Sequence, residues 1–357
     1  MPSFDIVKET EIQEKSFRVA QLYDQFDLKD NSIKEHFSGN IELPEDWNVG
    51  VIVGKSGTGK TTIAKELFAE GFCQPKYKAK SVIDDFPKKA ETKEIFSVLS
   101  SVGFSSPPSW LKPYEVLSNG EKMRVDLAMA ILQKKEIILF DEYTSVVDRE
   151  VAQIGSLAVQ KAVRRAGKKF IAVTCHYDVL NWLEPDWVFN TDTMEYQYTR
   201  GRLRRPEISI DIYKTKGNWP MFSKYHYLNH SAVSTSEEYT AYIGNKAVAI
   251  IIWTTFPHPK TKIKKVHRLV VLPDYQGVGI ANKFLTYTAK TIQEKTELVS
   301  ITTSLNGFAK SLKNNKNWLL VRTGRVGKPG KTSKCRASSI NRNTYSFVYV
   351  GEENAQR

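Results

Sequence analysis

The chain has 357 residues, 41% of them apolar and 25% charged, a composition that excludes disordered and fibrous classes and leaves room for two domains, each with its own core. The net charge of +13 is lopsided: residues 1–200 hold 26 Lys+Arg against 30 Asp+Glu, and residues 201–357 hold 26 against 9. No apolar run approaches the roughly 20 residues that cross a bilayer, Met1–Glu11 lacks the apolar core of a signal peptide, and Cys73, Cys175 and Cys335 fit neither a disulfide framework nor a zinc site, so the expected setting is the cytoplasm, with no membrane partner.

Residues 1–45 are mixed and polar, with a helix predicted near Glu11–Phe26. An apolar strand, Val49–Val53, runs into a glycine loop and then a helix, Lys60–Phe68. Residues 75–115 read as irregular apart from a helix near Lys93–Val102. A helix over Gly120–Gln133, a strand over Glu136–Phe140, a helix over Glu150–Arg165 and a strand over Lys169–Thr174 follow. This alternation predicts a largely parallel α/β sheet. The segment Thr199–Pro206 reads as a linker. Beyond it the pattern changes. Strands are predicted at Glu207–Tyr213, Tyr239–Ile243, Ala247–Thr254 and His267–Leu272, a helix at Gly279–Thr291, a strand at Leu298–Thr303, a helix near Gly307–Lys313 and a last strand at Tyr345–Val350.

Gly54-Lys-Ser56-Gly57-Thr58-Gly59-Lys60-Thr61 fits G-x-x-x-x-G-K-[ST] between a strand and a helix. Its backbone N–H groups, together with the helix start that continues into Thr62, are expected to cradle the phosphates of ATP. Lys60 supplies a point charge to them, and the Thr61 hydroxyl is a ligand for Mg²⁺. Asp141 and Glu142 close a buried strand. Asp141 is expected to hold Mg²⁺ and Glu142 to polarise the attacking water; a pair of acids there could also be plain helix capping. Leu117-Ser118-Asn-Gly120-Glu121 opens a helix, Ser145-Val-Val-Asp148 follows the acidic pair, and His176 ends the strand Phe170–Thr174.

The order of these motifs resembles the ATP-binding cassette (ABC) family over roughly residues 15–200. Leu117–Glu121 is similar to its signature, with Asn and Glu in the third and fifth positions; Ser145–Asp148 is similar to its D-loop and His176 to its switch histidine. The resemblance implies a head-to-tail homodimer in which Ser118 and Gly120 meet the partner's γ-phosphate. Lys60 and Ser118 are close together for a transporter cassette, the Q-loop glutamine has no clear counterpart beyond Gln74 or the Ser81–Pro87 stretch, and Tyr23, Phe26 and Trp47 compete for the adenine-stacking place. The short subdomain and the lack of a membrane-spanning run argue against a transporter and favour the soluble cassettes, many of which act on nucleic acids.

In the second part, Val270-Val271-Leu272-Pro-Asp-Tyr-Gln276-Gly277-Val278-Gly279-Ile280-Ala281 runs strand, tight turn, helix, a turn whose bare N–H groups suit a pyrophosphate. With Gln276, Gly279 and Ala281 in register, it resembles motif A of the GCN5-related N-acetyltransferases (GNAT). The resemblance covers residues 205–357 and implies acetyl-CoA as cofactor, with Val270–Leu272 along the pantetheine, residues 276–281 on the pyrophosphate, and Asn306 near the cofactor. Transfer needs a base and an acid. Tyr225, His226 and Tyr227 are the candidates, in a stretch similar to the His-Tyr segment of Mom-type phage DNA-modification enzymes; core aromatics and a surface histidine are the plain alternative. From Leu298 to Val350 there is no acid, while Lys310, Lys313, Lys316, Arg322, Arg325, Lys328, Lys331, Lys334, Arg336 and Arg342 are interspersed with Trp318 and Tyr345. Clustered cations without acids fit a polyanion, against a solvated basic face or a small-anion site.

The expectation is an α/β chain: an ABC ATPase domain on a P-loop over residues 1–200, followed by an α+β GNAT acyltransferase domain over 201–357. The expected activity is ATP hydrolysis coupled to acylation of an exocyclic amine of adenine or cytosine in DNA or RNA. The alternatives are a protein lysine or other amine as acceptor, or a nucleic-acid-binding ATPase whose GNAT fold does not catalyse.

Overall fold

A computed structural model describes residues 3–11, 16–26, 32–72, 75–133, 135–199, 201, 208–226, 236–325 and 343–351. The elements in chain order are β1 (Ser3–Glu11), α1 (Phe17–Phe26), β2 (Ser32–Asn40), β3 (Val49–Val53), α2 (Lys60–Phe68), α3 (Thr92–Ser101), α4 (Pro107–Trp110), α5 (Asn119–Leu132), β4 (Ile137–Phe140), α6 (Arg149–Ala166), β5 (Lys169–Thr174), α7 (Val179–Leu183), β6 (Trp187–Asn190) and β7 (Glu195–Tyr198). They continue with β8 (Asp211–Thr215), α8 (Trp219–Ser223), β9 (Glu237–Ile243), β10 (Lys246–Phe256), β11 (Ile263–Val271), α9 (Ile280–Gln293), β12 (Leu298–Thr303), α10 (Asn306–Lys313), β13 (Trp318–Arg325) and β14 (Asn343–Tyr349). Among the described residues, no helix is long and apolar enough to cross a membrane.

The chain forms two compact units that interleave in sequence. One comprises residues 1–74, 135–146 and 163–204, and the other residues 75–134, 147–162 and 205–357. The first holds a five-stranded sheet in the order β4-β5-β3-β6-β7. Its first four strands are parallel and β7 is antiparallel to β6. β3 is central and buried at all five positions, as a continuous apolar run in a two-sided parallel sheet must be. Asp186 pins its start: Oδ2 accepts the backbone N–H groups of Asn48 and Val49 (both 2.8 Å) and Nη1 of Arg164 (3.0 Å). A separate antiparallel hairpin, β1–β2, stands where the sequence predicts only a helix. That helix is shorter than expected, because the chain up to Glu11 is strand. Phe4 and Phe37 from the hairpin join a core with Ile52, Ile63, Phe68, Trp187 and Phe189.

The second unit contains a seven-stranded sheet, β13-β14-β12-β11-β10-β9-β8. Every neighbouring pair is antiparallel except β11–β12. This parallel pair is registered only over Ile263–Lys265 against Leu298–Ser300, so the two strands part beyond that point. The pairing of β11 with β10 also shifts register between Ile252 and Trp253, leaving His267 without an opposite residue. The alternation of side chains sorts the sheet's faces. Ala249, Ile251 and Trp253 pack with Phe284, Leu285 and Ile292 of α9, whereas Ile250, Ile252 and Val270 pack with Trp219 and Phe222 of α8. Each such large side chain, fully buried, contributes roughly 1.5–3 kcal/mol before entropy is charged against it. Strand β13 and helix α8 are absent from the sequence expectation, as are α7, β6 and β7.

Candidate nucleotide and acyl-carrier sites

In the first unit the loop after β3 lies at the carboxyl end of a parallel sheet, where such folds bind ligands. Gly57 and Gly59 are left-handed (φ 85° and 80°), a conformation glycine adopts without strain. At Gly59 a Cβ would lie 2.5 Å from the Phe37 ring, and at Gly54 it would lie 2.1 Å from Thr191 Oγ1. The loop is thus a cradle of bare backbone. Ser56 is exposed, Thr62 is half-buried in the first turn of α2, and the Thr58 hydroxyl donates to the Lys55 carbonyl at 2.9 Å. Lys60 Nζ donates to the same carbonyl.

The structure brings the two expected Mg²⁺ ligands together: Thr61 Oγ1 donates to Asp141 Oδ1 at 3.0 Å. Two protein oxygens beside an anion cradle are a donor set that suits Mg²⁺, which keeps waters and phosphate oxygens for its remaining positions. Asp141 Oδ1 also accepts the Glu142 N–H (3.0 Å). Glu142 is exposed with φ 53°, and buried Thr144 has φ 66°, two non-glycine residues in left-handed backbone, a strain that clusters at functional sites. The backbone N–H of His176 donates to Thr174 Oγ1 (3.1 Å), whose hydroxyl donates to the Tyr143 carbonyl (3.0 Å). This ties the histidine's strand end to the acidic loop. Trp47, one aromatic weighed for adenine stacking, is 4% exposed and meets Trp187 edge-on, so it is a core residue.

Asp192 escaped the sequence reading. Its Oδ1 accepts the Lys55 N–H (2.8 Å) and its Oδ2 the Tyr177 hydroxyl (2.8 Å). These bonds, the Lys55 amide first, hold its carboxyl below the usual carboxylate range. The polar triplet Asn190-Thr191-Asp192, closing the apolar run of β6 beside β3, was the available signal.

In the second unit, the head of α5 carries the signature stretch. Ser118 Oγ accepts the Glu121 N–H (3.2 Å) and Glu121 Oε2 accepts the Ser118 N–H (3.0 Å), a reciprocal cap. At Gly120 a Cβ would lie 2.7 Å from Asp274 Oδ1. Downstream, Asp148 Oδ1 accepts the N–H groups of Glu150 and Val151 at the start of α6.

The turn between β11 and α9 bears the expected acyl-carrier residues. Gly279 is left-handed (φ 95°), exposed, and has nothing within 4 Å of a Cβ position. Gly277 (φ 86°) differs: a Cβ there would lie 2.8 Å from Gly103 Cα and 3.0 Å from Ala158 Cβ, so its bareness serves close packing. The Gln276 side chain braces the turn, Nε2 donating to the Val271 carbonyl (2.7 Å). Val270, Val271 and Ile280 are buried and Leu272, Val278 and Ala281 half-buried. Asn306 is exposed in the first turn of α10.

Of the three transfer candidates, Tyr225 packs against the cluster of Trp219, Phe222, Ile250, Ile252 and Val270, as Leu272 does. His226 is 7% exposed and edge-on to Trp219, so it is not a surface histidine. Tyr227 lies outside the described residues, as do Gln74, Lys328, Lys331, Lys334, Arg336 and Arg342. Sequence reasoning also passed over Arg268, buried within β11, and Glu238, 8% exposed, whose Oε1 accepts from Thr215 Oγ1 (2.9 Å) and the Asn218 N–H (3.0 Å). Neither left a distinct signal, because β11 also carries Lys264, Lys265 and His267 and β9 also carries Glu237.

The glycine loop before α2, with Thr61 and Asp141 beside it, is the phosphate-binding loop of a P-loop α/β fold. Residues 67–145 match the model of the family described as ABC transporter. An uncharacterized ABC transporter ATP-binding protein of Haemophilus influenzae is 29% identical over 144 residues, 32% of this chain and 58% of that protein. A methionine import ATP-binding protein of Rhodococcus jostii is 29% identical over 100 residues, 28% of either chain. The cell division ATP-binding protein FtsE of Haemophilus influenzae is 34% identical over 88 residues, 25% of this chain and 38% of that one. The chain thus spans less than two thirds of these relatives' own lengths. Among solved structures, a dimeric bacterial ABC transporter cassette is similar with a TM-score of 0.37 at 17% identity, covering 47% of this chain and 94% of that one. Over the matched residues the chain is similar to ABC transporter ATP-binding domains.

Proposed function

We propose that the chain, divided functionally at residues 200/201, couples an ATP-hydrolysing ABC homodimer to a GNAT-type acyltransferase that acylates an exocyclic amine of adenine or cytosine in DNA or RNA of the cytoplasm. The observation that carries the acyltransferase half is the β11–β12 pair. It is the one parallel pair of the second sheet, it loses register after three residues, and it leads into a glycine turn at a helix start. The opening leaves strand backbone without a ladder partner, and an extended pantetheine amide chain could take its place. Gly279, open and left-handed at the start of α9, suits a pyrophosphate by the same logic as the loop before α2.

Acetyl-CoA would supply an activated acyl carbonyl. Transfer there would join the amine nitrogen to that carbon as the C–S bond breaks, with the amine's proton ending on the departing thiolate, so that an amide and free CoA would result. Tyr225 and His226 stand on the α8 face beside Val270 and are the groups offered for moving that proton. In the nucleotide site, Thr61 and Asp141 would hold Mg²⁺, which neutralises phosphate charge, while Lys60 binds phosphate oxygens, Glu142 orients and deprotonates water, and His176 senses the γ-phosphate position. The basic residues of 201–357 would track phosphates. A base must leave its stack to reach a pocket, at a cost of a few kcal/mol, and cassette closure would present it.

The test is quantitative nucleoside mass spectrometry of DNA and of tRNA and rRNA from cells expressing the chain, against a Lys60→Ala, Gly279→Glu double variant. A new acylated nucleoside absent from the control is the expected result. Unchanged nucleosides with new protein amine acylation would move the acceptor to protein.

A further inference from the structure

Four consecutive residues of the proposed acyl-carrier turn, Asp274 to Gly277, are each held by a distant residue of the same unit: Arg124 of the signature helix α5, Glu150 and Lys161 of α6, and Ser105 and Gly103 of the loop after α3. Arg124, one turn into α5 from Gly120, has a side chain with no solvent exposure. Its Nη1 donates to Asp274 Oδ1 (3.2 Å) and its Nη2 to the Asp274 carbonyl (2.9 Å). The Tyr275 hydroxyl donates to Glu150 Oε1 (3.0 Å) in the first turn of α6, just past the D-loop aspartate, and Lys246 Nζ bonds the other Glu150 oxygen (2.9 Å). Gln276 Oε1 accepts the Ser105 N–H (2.5 Å). Gly277 faces Gly103 with no room for a Cβ on either, and its carbonyl accepts Lys161 Nζ (3.2 Å). A buried guanidinium bound to both a carboxylate and a carbonyl is costly to separate from them, and close-packed contacts pass displacement on rather than absorb it.

We infer that the head of α5, with Ser118 and Gly120, and the Asp274–Gly279 turn move as one piece, so that nucleotide at the signature and acyl carrier at the turn alter each other's affinity. The proposal rests on the reading of both sites given above. Arg124, Asp274 and Glu150 are then positioning residues, acting through the turn rather than on the reacting atoms. Reciprocity is required: whatever factor ATP imposes on acetyl-CoA binding, acetyl-CoA imposes on ATP.

The experiment is calorimetric titration of acetyl-CoA into the full chain carrying Glu142→Gln, with and without ATP and Mg²⁺, and the converse titration of ATP. The expected result is a change in Kd of about fivefold or more, equal in both directions, within the usual range of coupling between sites. Adding Asp274→Ala should leave both ligands binding and bring the factor close to one. Its side chain is 34% exposed, against none for Arg124, so this variant is expected to fold; Glu150→Gln, which weakens the Tyr275 and Lys246 bonds, is the second variant and should lower the factor in part. A factor of one in the parent, or an undiminished factor in Asp274→Ala, overturns the coupling while leaving both sites standing. Absence of acetyl-CoA binding under every condition instead removes the acyl-carrier reading, and the coupling with it.

Discussion

Gly279 and Gly277 show how one residue type serves two ends within three positions. Both are left-handed, yet only Gly279 has open space around its Cβ position, while Gly277 abuts Gly103 and Ala158. A side chain at 279 therefore meets backbone strain of about 1–3 kcal/mol but no clash. Gly279→Glu is expected to fold and to abolish acetyl-CoA binding, since a carboxylate would occupy the pyrophosphate position. ATP hydrolysis should persist within about twofold. Calorimetry with acetyl-CoA and a phosphate-release assay check both halves, and unchanged acetyl-CoA affinity would remove this turn from the site.

Individual elements are held by a few polar ties that hydrophobic patterning does not reveal. Asp186 joins the start of β3 to Arg164, and removing it leaves two backbone N–H groups and a nearly buried guanidinium without their acceptor. Asp186→Ala is expected to cost about 3–5 kcal/mol, read as a lowered urea midpoint of the transition that reports the first unit. Glu237 on β9 bonds Lys264 on β11 (2.8 Å) and Lys214 on β8 (2.9 Å). These two hydrogen bonds, that from Lys264 foremost, bring its carboxyl from the ordinary 4.5 down to about 2. A depressed carboxyl adds stability that is full above its unfolded value and is lost as pH falls through its folded one. The Glu237 contribution should therefore be intact above pH 4.5 and gone by about pH 2. Glu237→Gln is expected to be less stable at neutral pH and to show a shallower decline across that acid window in denaturant titrations. A parallel decline in both proteins would show that the ties contribute nothing.

At the scale of the whole chain, the acid-poor second part, with 26 Lys+Arg against 9 Asp+Glu over residues 201–357, is what motivates the proposed polyanion partner. The proposed head-to-tail homodimer makes a further claim, because in it the signature of one copy would complete the nucleotide site of the other. Glu142→Gln, which keeps the loop's hydrogen bonding but removes the base, should hold ATP without hydrolysing it. Its mass by light scattering is expected to double when ATP and Mg²⁺ are added and to stay monomeric with ADP. A variant that binds ATP yet remains a monomer would rule out the sandwich.

Much of this was legible in the residues alone. Val49–Val53, Lys60–Phe68, Lys169–Thr174 and Leu298–Thr303 stand where the apolar runs and their glycine punctuation put them, because burial on both faces of a strand and the conformational needs of a phosphate loop are local demands that leave a local trace. The β1–β2 hairpin left almost none. Asp5, Lys8 and Glu9 break up its inward Phe4 and Ile6, and its strands pair across an intervening helix. Short β6 and β7 were likewise beyond reach, since a few residues of strand acquire their identity from neighbours rather than from periodicity. What only the tertiary structure decided is which distant residues meet. Asp192 lies on the phosphate loop, Arg124 lies on the Asp274–Gly277 turn 150 positions away, and residues 75–133 group with 147–162 and the C-terminal part of the chain rather than with the strands that flank them in sequence. Charge, polarity and glycine spacing state what a residue can bond; the packing of elements far apart in the chain selects which bond is made.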